Sequence, residues 1–181
     1  MEPGRGPFAL CDRVEFQDGE VQCSIIPKSA CESFSLLLRA SGDSGLDSGY
    51  ELRFRPSEQW VELRRLDGTN VSVLGTAKCS VPVDTETRVR WEWNGDRYAL
   101  ELSGGGQTRW EGRDPAPLLK AGRFGLRCWG AGVELDQVVL RPRNGPAQVV
   151  AEPMERTDPR MRARQSLALL VLNLNEMVYL D

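Results

Sequence analysis

Three tryptophans stand where an aromatic ring could meet a ligand. Trp60, Trp110 and Trp129 fall at strand edges or beside loops, near Glu58, Arg109 and Arg127. A flat indole face beside charged hydrogen-bonding groups suits a sugar, whose apolar ring face stacks while its hydroxyls bond at the rim. Trp60, Trp110, Trp129, Arg109 and Arg127 are therefore the candidate ligand-binding residues; the competing reading of each tryptophan is ordinary packing. Trp91 and Trp93 take core-facing positions and read as structural. A second candidate is the loop over 43–49, where Asp43 and Asp47 stand among backbone carbonyls. Oxygen ligands suit calcium, but the loop lacks the carboxylate count of an EF-hand, and a plain hairpin loop is the competing reading.

Catalysis has little to work with. The 181 residues contain no histidine. A Ser-His-Asp triad, a Cys-His pair, a histidine-ligated zinc and a histidine general base are all excluded within this chain. Cys11, Cys23, Cys31, Cys79 and Cys128 include no Cys-x-x-Cys pair, so they read as small core residues. A Cys11–Cys23 or Cys23–Cys31 bridge is open only in an oxidising compartment. With 23 Lys and Arg against 26 Asp and Glu, the net charge is −3. That argues against a sequence-independent nucleic-acid binder, which needs a basic surplus. Arginines alternate with glutamates and read as a mixed-sign solvated face.

The elements that must carry these residues are strands. From about Phe8 to Pro142 the apolar period is two. Tyr50, Leu52 and Phe54 alternate with Glu51, Arg53 and Arg55; Val61 and Leu63 alternate with Glu62 and Arg64; Val89, Trp91 and Trp93 alternate with Arg88, Arg90 and Glu92. Such alternation gives one dry and one wet face, as antiparallel sheets require. Asp18-Gly19, Asp67-Gly68, Asn94-Gly95 and 103–106 supply the breaks. Phe34, Leu36, Leu37 and Leu38 form a nearly continuous apolar run and read as a central strand covered on both faces or as a strand close to a sheet edge where the chain bends; a buried helix is the alternative, disfavoured by Ser33, Ser35 and the Gly-rich loop that follows. Short strands with no helical period between them predict two packed sheets.

The strand sequences resemble the concanavalin A-like lectin/glucanase superfamily. The resemblance rests on Ser33 to Ala40, on Gly49-Tyr50-Glu51-Leu52-Arg53-Phe54, on the hairpin Arg88 to Asp96, and on Gly122-Arg123-Phe124-Gly125-Leu126-Arg127 followed by Val133 to Val138. It is closest to the non-catalytic modules of invertase-type fructan hydrolases and to laminin-G-like bacterial domains. It implies an all-β antiparallel two-sheet jelly-roll sandwich over 8–142. Enzymes of that superfamily carry a row of carboxylates on one strand. Glu134 and Asp136 supply two, but the third position falls on Val138 or Val139, so the row is broken. Glycoside hydrolysis needs two flanking carboxyls, and the resemblance implies an accessory module without them.

Composition shifts after Leu140. Residues 143–157 read as a linker. Asp158-Pro159 reads as a helix start, with a C-terminal α-helical tail over 158–181. The run Arg164 to Asp181 resembles the C-terminal end of large bacterial surface proteins that combine cytochrome-c-like modules with other domains. This chain lacks the haem-binding cysteines, so electron transfer does not carry over. A helix this apolar must dock onto its own sandwich, another copy or a partner domain. No segment reaches the ~20 apolar residues of a membrane span.

The sequence therefore predicts a non-catalytic carbohydrate-binding or interaction module of a bacterial multi-domain protein, with a glycan as ligand and no cofactor beyond the calcium loop. The alternatives are a purely structural domain packed against a missing one, and a glycoside hydrolase. The expected location is periplasmic or cell-surface if the chain belongs to a longer secreted protein, and otherwise cytoplasmic.

Overall fold

A computed structural model of the chain describes residues 8–28, 31–42, 47–130 and 132–150. The helix expected over 158–181 lies outside them. The described residues form two antiparallel six-stranded sheets and one 3-10 turn, Pro56–Glu58. In chain order the strands are β1 (Phe8–Phe16), β2 (Gly19–Pro27), β3 (Cys31–Ser41), β4 (Ser48–Arg55), β5 (Trp60–Asp67) and β6 (Asn70–Lys78). They continue as β7 (Thr87–Asn94), β8 (Arg97–Ser103), β9 (Gln107–Arg113), β10 (Gly122–Gly130), β11 (Val133–Pro142) and β12 (Gln148–Val149). One sheet, A, has the order β1-β10-β3-β4-β5-β6; the other, B, has β12-β11-β2-β7-β8-β9. The described residues form an all-β two-sheet sandwich, as the dyad pattern predicts.

The core lies where the alternation places it. Phe34, Leu36, Leu38, Tyr50, Leu52, Phe54, Val61 and Leu63 from sheet A meet Val21, Ile25, Val89, Trp91, Trp93, Leu100 and Leu140 from sheet B. Phe34 stacks on Phe54 with centroids 4.8 Å apart. These chains are essentially inaccessible to water, and their burial is the main stabilising term of the fold. Cys23 and Cys79 are free thiols within this core. Burial pushes the Cys23 thiol up to about 12 and the Cys79 thiol up to about 11, which keeps both protonated and unreactive. The two-residue turn between Asn94 and Arg97 uses Gly95 at φ 61°, a left-handed conformation that glycine adopts without steric cost.

The stretch between β9 and β10 carries the chain from sheet B to sheet A and is clamped by buried charge. Asp114, buried, accepts hydrogen bonds from Tyr50 Oη at 2.8 Å, Arg65 Nη1 at 2.5 Å and the Ala116 amide at 3.0 Å. Tyr50 Oη in turn accepts from the Leu118 amide at 2.8 Å. A bulge in β3 after Leu38 puts Arg39 at φ 51° and turns its side chain inward. There Arg39 donates to the carbonyls of Gln17 and Leu118 and, at 2.6 Å, to Asp18. Its guanidinium also lies over the rings of Tyr50 and Trp93, at 5.7 and 5.3 Å from their centroids. Buried charges persist only when paired and hydrogen-bonded. This arrangement meets both conditions and fixes the entry of β10, the strand that brings Arg127 and Trp129 to sheet A.

Candidate functional site

The outer face of sheet A carries a concentration of charge that solvent scarcely reaches. Strand parity sends Ser33 and Ser35 of β3, Glu51, Arg53 and Arg55 of β4, Trp60, Glu62 and Arg64 of β5, and Arg127 and Trp129 of β10 away from the core. Cross-strand register sets them in rows. Arg127 pairs with Ser35, Ser35 with Arg53, Arg53 with Glu62, and Glu62 with Thr76. Trp129 pairs with Ser33 on one side, and Trp60 stands between Arg55 and Lys78 on the other. The small Ser33 and Ser35 of β3 are buried between the longer side chains of β10 and β4.

Arginine dominates this face. Arg53 leans across it, donating to Ser33 Oγ at 3.3 Å and lying over the Trp129 ring at 4.9 Å from the centroid. Arg127 lies over the same ring at 4.5 Å. Arg55 lies over the Trp60 ring at 5.0 Å, while Glu58 accepts from Arg55 at 2.7 Å and from Trp60 Nε1 at 2.6 Å. Arg64 bridges two carboxylates, Glu62 at 2.5 Å and Glu51 at 3.7 Å; Arg127 reaches Glu51 at 3.7 Å. Glu51 and Arg127 are 1% and 2% exposed. The wet face expected for β4 is thus a largely buried charged layer. Burial lowers the pKa of Arg53, and the neighbouring Arg64 and Arg55 lower it further. Burial also lowers that of Arg127, against the pull of Glu51.

Several polar atoms of this layer have no hydrogen-bond partner among the described residues. They are Arg127 Nε and Nη2, Arg53 Nε, Arg55 Nε, Ser35 Oγ and Glu51 Oε1. Buried polar groups are almost always satisfied, so a cluster of orphans on one face marks a place where a ligand could complete the bonding. The outer face of sheet B provides the contrast. There Arg90 meets Glu20 at 2.5 Å, Glu92 at 3.4 Å and Glu101 at 3.4 Å; Arg109 meets Glu111 at 2.6 Å; Arg141 meets Glu20 at 3.0 Å. That ladder is solvated and satisfies itself, as a mixed-sign surface does.

Of the residues singled out from sequence, Trp60, Trp129 and Arg127 come together on the outer face of sheet A. Trp110 and Arg109 do not join them. Both lie on β9 in sheet B, where Arg109 belongs to the ion-pair ladder and Trp110 turns inward. The Trp110 ring meets Tyr98 edge-on at 5.5 Å, and a Cβ at position 75 would stand 2.2 Å from its Cζ2. Trp110 therefore packs into the space that Gly75 leaves, closing the seam between β6 and β9. Asp43 lies outside the described residues. Asp47 is exposed, its amide donates to Ser41 O at 2.8 Å, and its carbonyl accepts from the Gly68 amide at 2.7 Å. Among the described residues no group of three or more Cys, Asp or Glu is placed to hold a metal ion. Glu134 is paired with Lys28 at 3.1 Å. No helix among the described residues is long and apolar enough to cross a membrane.

Arg53, Arg55, Glu51 and Arg64 were not distinguished by sequence from ordinary solvent-facing charges. The available signal was Glu-x-Arg-x-Arg on β4 followed by Trp-x-Glu-x-Arg on β5, two rows of the same parity across one hairpin.

No protein-family model matches the chain, and no curated protein matches it in sequence. Solved structures match its fold. The carbohydrate binding module CBM66 from Bacillus subtilis superposes with a TM-score of 0.63 at 20% identity, over 74% of this chain and 80% of that one. A Bacillus subtilis protein of unknown function with a galectin-like fold gives 0.58 at 16%, over 74% and 76%. Chicken galectin 2 gives 0.51 at 13%, over 73% of this chain and all of the other. At such identities the likeness is one of fold: the described residues share the β-sandwich fold of these structures.

Proposed function

We propose that the chain is a non-catalytic carbohydrate-binding module whose ligand lies on the outer face of sheet A, against Arg53, Arg55, Trp60, Arg127 and Trp129. The observation that carries this reading is the set of orphaned polar atoms there: Arg donors at 127, 53 and 55 beside an acceptor at Glu51 Oε1. A sugar hydroxyl both donates and accepts, so one polyol answers both kinds of atom. Each charged hydrogen bond so completed contributes about 1.5–3 kcal/mol. The name of the Bacillus subtilis neighbour, a carbohydrate binding module, adds support through shared fold.

Arginine, rather than a bare ring, reads the ligand in this account. Trp60 carries one guanidinium on its ring and Trp129 carries two, so the tryptophans hold the arginines in place and offer what remains of their rings. Hydrolysis is disfavoured because the face offers no free pair of carboxyl groups: Glu62 is held by Arg64 at 2.5 Å, Glu58 by Arg55 at 2.7 Å, and Glu51 lies between Arg64 and Arg127. We read the module as part of a bacterial multi-domain protein, with the tail over 158–181 as its docking element.

A glycan array followed by titration calorimetry tests the site. Arg127→Gln and Trp129→Ala are expected to abolish binding of any glycan found. Arg109→Ala and Trp110→Ala, on the other sheet, are expected to leave it unchanged. The reverse pattern places the site on sheet B and defeats the proposal.

A further inference from the structure

Resting on that reading, we infer that the saccharide bears an anionic group, a carboxylate or a sulfate, seated between Arg53 and Arg127 beside the Trp129 ring. The chain as a whole is acidic, with a net charge of −3. This face runs the other way. Arg53, Arg55, Arg64, Arg127 and Lys78 stand against Glu51, Glu58 and Glu62.

The pairing localises the surplus. Glu58 holds Arg55 at 2.7 Å, and Glu62 holds Arg64 at 2.5 Å. Glu51 is shared between Arg64 and Arg127, at 3.7 Å from each and beyond hydrogen-bond reach. Among the described residues Arg53 has no carboxylate within ion-pair distance. The two least neutralised arginines of the face thus flank one ring, at 4.9 and 4.5 Å from its centroid. Beyond burial, Arg64 and Arg55 act on Arg53 as like charges, against the opposite pull of Glu51 and Glu62.

A neutral sugar could satisfy the hydrogen bonds but would leave that charge uncompensated in a half-buried layer. A carboxylate or sulfate answers both needs, because guanidinium groups bind such planar or forked oxygens through paired N–H donors. Arg127 offers Nε and Nη2, adjacent donors and both orphaned. Glu51 Oε1, the orphaned acceptor, repels a bare anion but accepts from a hydroxyl. The combination selects an acidic sugar over an inorganic ion. Arg53 is the more exposed of the two arginines and is the side chain that swings aside to admit it.

Calorimetry on matched pairs tests this: tetragalacturonate against its methyl ester, a chondroitin sulfate tetrasaccharide against its desulfated form, with cellotetraose and sodium sulfate as neutral and inorganic controls. A charged member is expected to bind at least about tenfold tighter than its uncharged partner, and to lose that advantage as salt rises. The carboxylate and sulfate pairs tell the two anions apart. Arg53→Gln, a half-exposed position where misfolding is not expected, should remove the advantage; a thermal melt shows that the variant is folded. Equal binding of charged and uncharged members overturns the inference while leaving the carbohydrate reading intact. Charge preference that survives Arg53→Gln and Arg127→Gln overturns the placement. Failure of every saccharide, alongside a failed array, removes both.

Discussion

Arg39→Met is the most informative perturbation of the scaffold. The Arg39 side chain is fully buried, paired with Asp18 at 2.6 Å, bonded to the Gln17 and Leu118 carbonyls, and laid over Tyr50 and Trp93. Methionine keeps much of the volume and none of the donors. Breaking a buried pair from one side costs about 3–5 kcal/mol. Asp18 retains the Gly95 amide at 2.8 Å and is 27% exposed, so the lower end applies. A loss of about 3 kcal/mol follows. With a urea slope of about 2 kcal/mol/M, the unfolding midpoint should fall by about 1.5 M. Amide exchange should also quicken at Leu118, on the segment that Arg39 holds. Adding Asp18→Asn should recover part of the loss, since the stranded carboxylate then disappears. A loss below about 1 kcal/mol, or no recovery in the double variant, would refute the claim that this cation locks the sheet crossover.

The remaining expectations concern the core and the seam. Cys23 has its pKa raised from 9.0 to about 12 by burial, so its folded form holds a proton that the unfolded chain releases. Its contribution is complete below about pH 9 and is lost as pH climbs toward 12; three units correspond to roughly 4 kcal/mol. Urea unfolding across that range should show this decline, and Cys23→Ala should flatten it; an unchanged slope argues against a sealed thiol. Trp110→Ala should cost about 2–3 kcal/mol, because a half-buried ring leaves a gap against Tyr98 and Gly75. Calorimetric binding by the same variant should equal that of the parent protein, and weakened binding would reassign Trp110 to the site.

Much of the fold was legible because side-chain parity is a local property. The alternations at 50–55 and 88–93 name the inward residues, and Asn94-Gly95 and Asp67-Gly68 name the turns between them. The site was legible only in part. Parity sends Trp60, Trp110 and Trp129 to a face but does not say which sheet receives each. For Trp129 that is decided by β10 inserting between β1 and β3, a pairing across some ninety residues of chain that leaves no local trace. The depth of the charged layer was hidden for a similar reason: Glu51 reads as solvent-facing until Arg64 and Arg127 close in from two other strands. Arg39 did leave a signal, a lone cation between Leu38 and Ala40 in an apolar run, but its inward turn depends on a bulge whose cause lies in the neighbouring strands.

Two residues of β12 have an effect out of proportion to their number. Val139 pairs with Val149 and Leu140 with Gln148, and the Val150 amide donates to Val138 O at 2.8 Å. Without them β11 would present bare amides and carbonyls directly outside Val138 and Leu140, two of the most deeply buried residues of sheet B. Such a margin invites a second molecule to add its own strand. A fragment cut at Pro142 would therefore retain most of its interior and still aggregate, whereas one carried through Val150 shields itself.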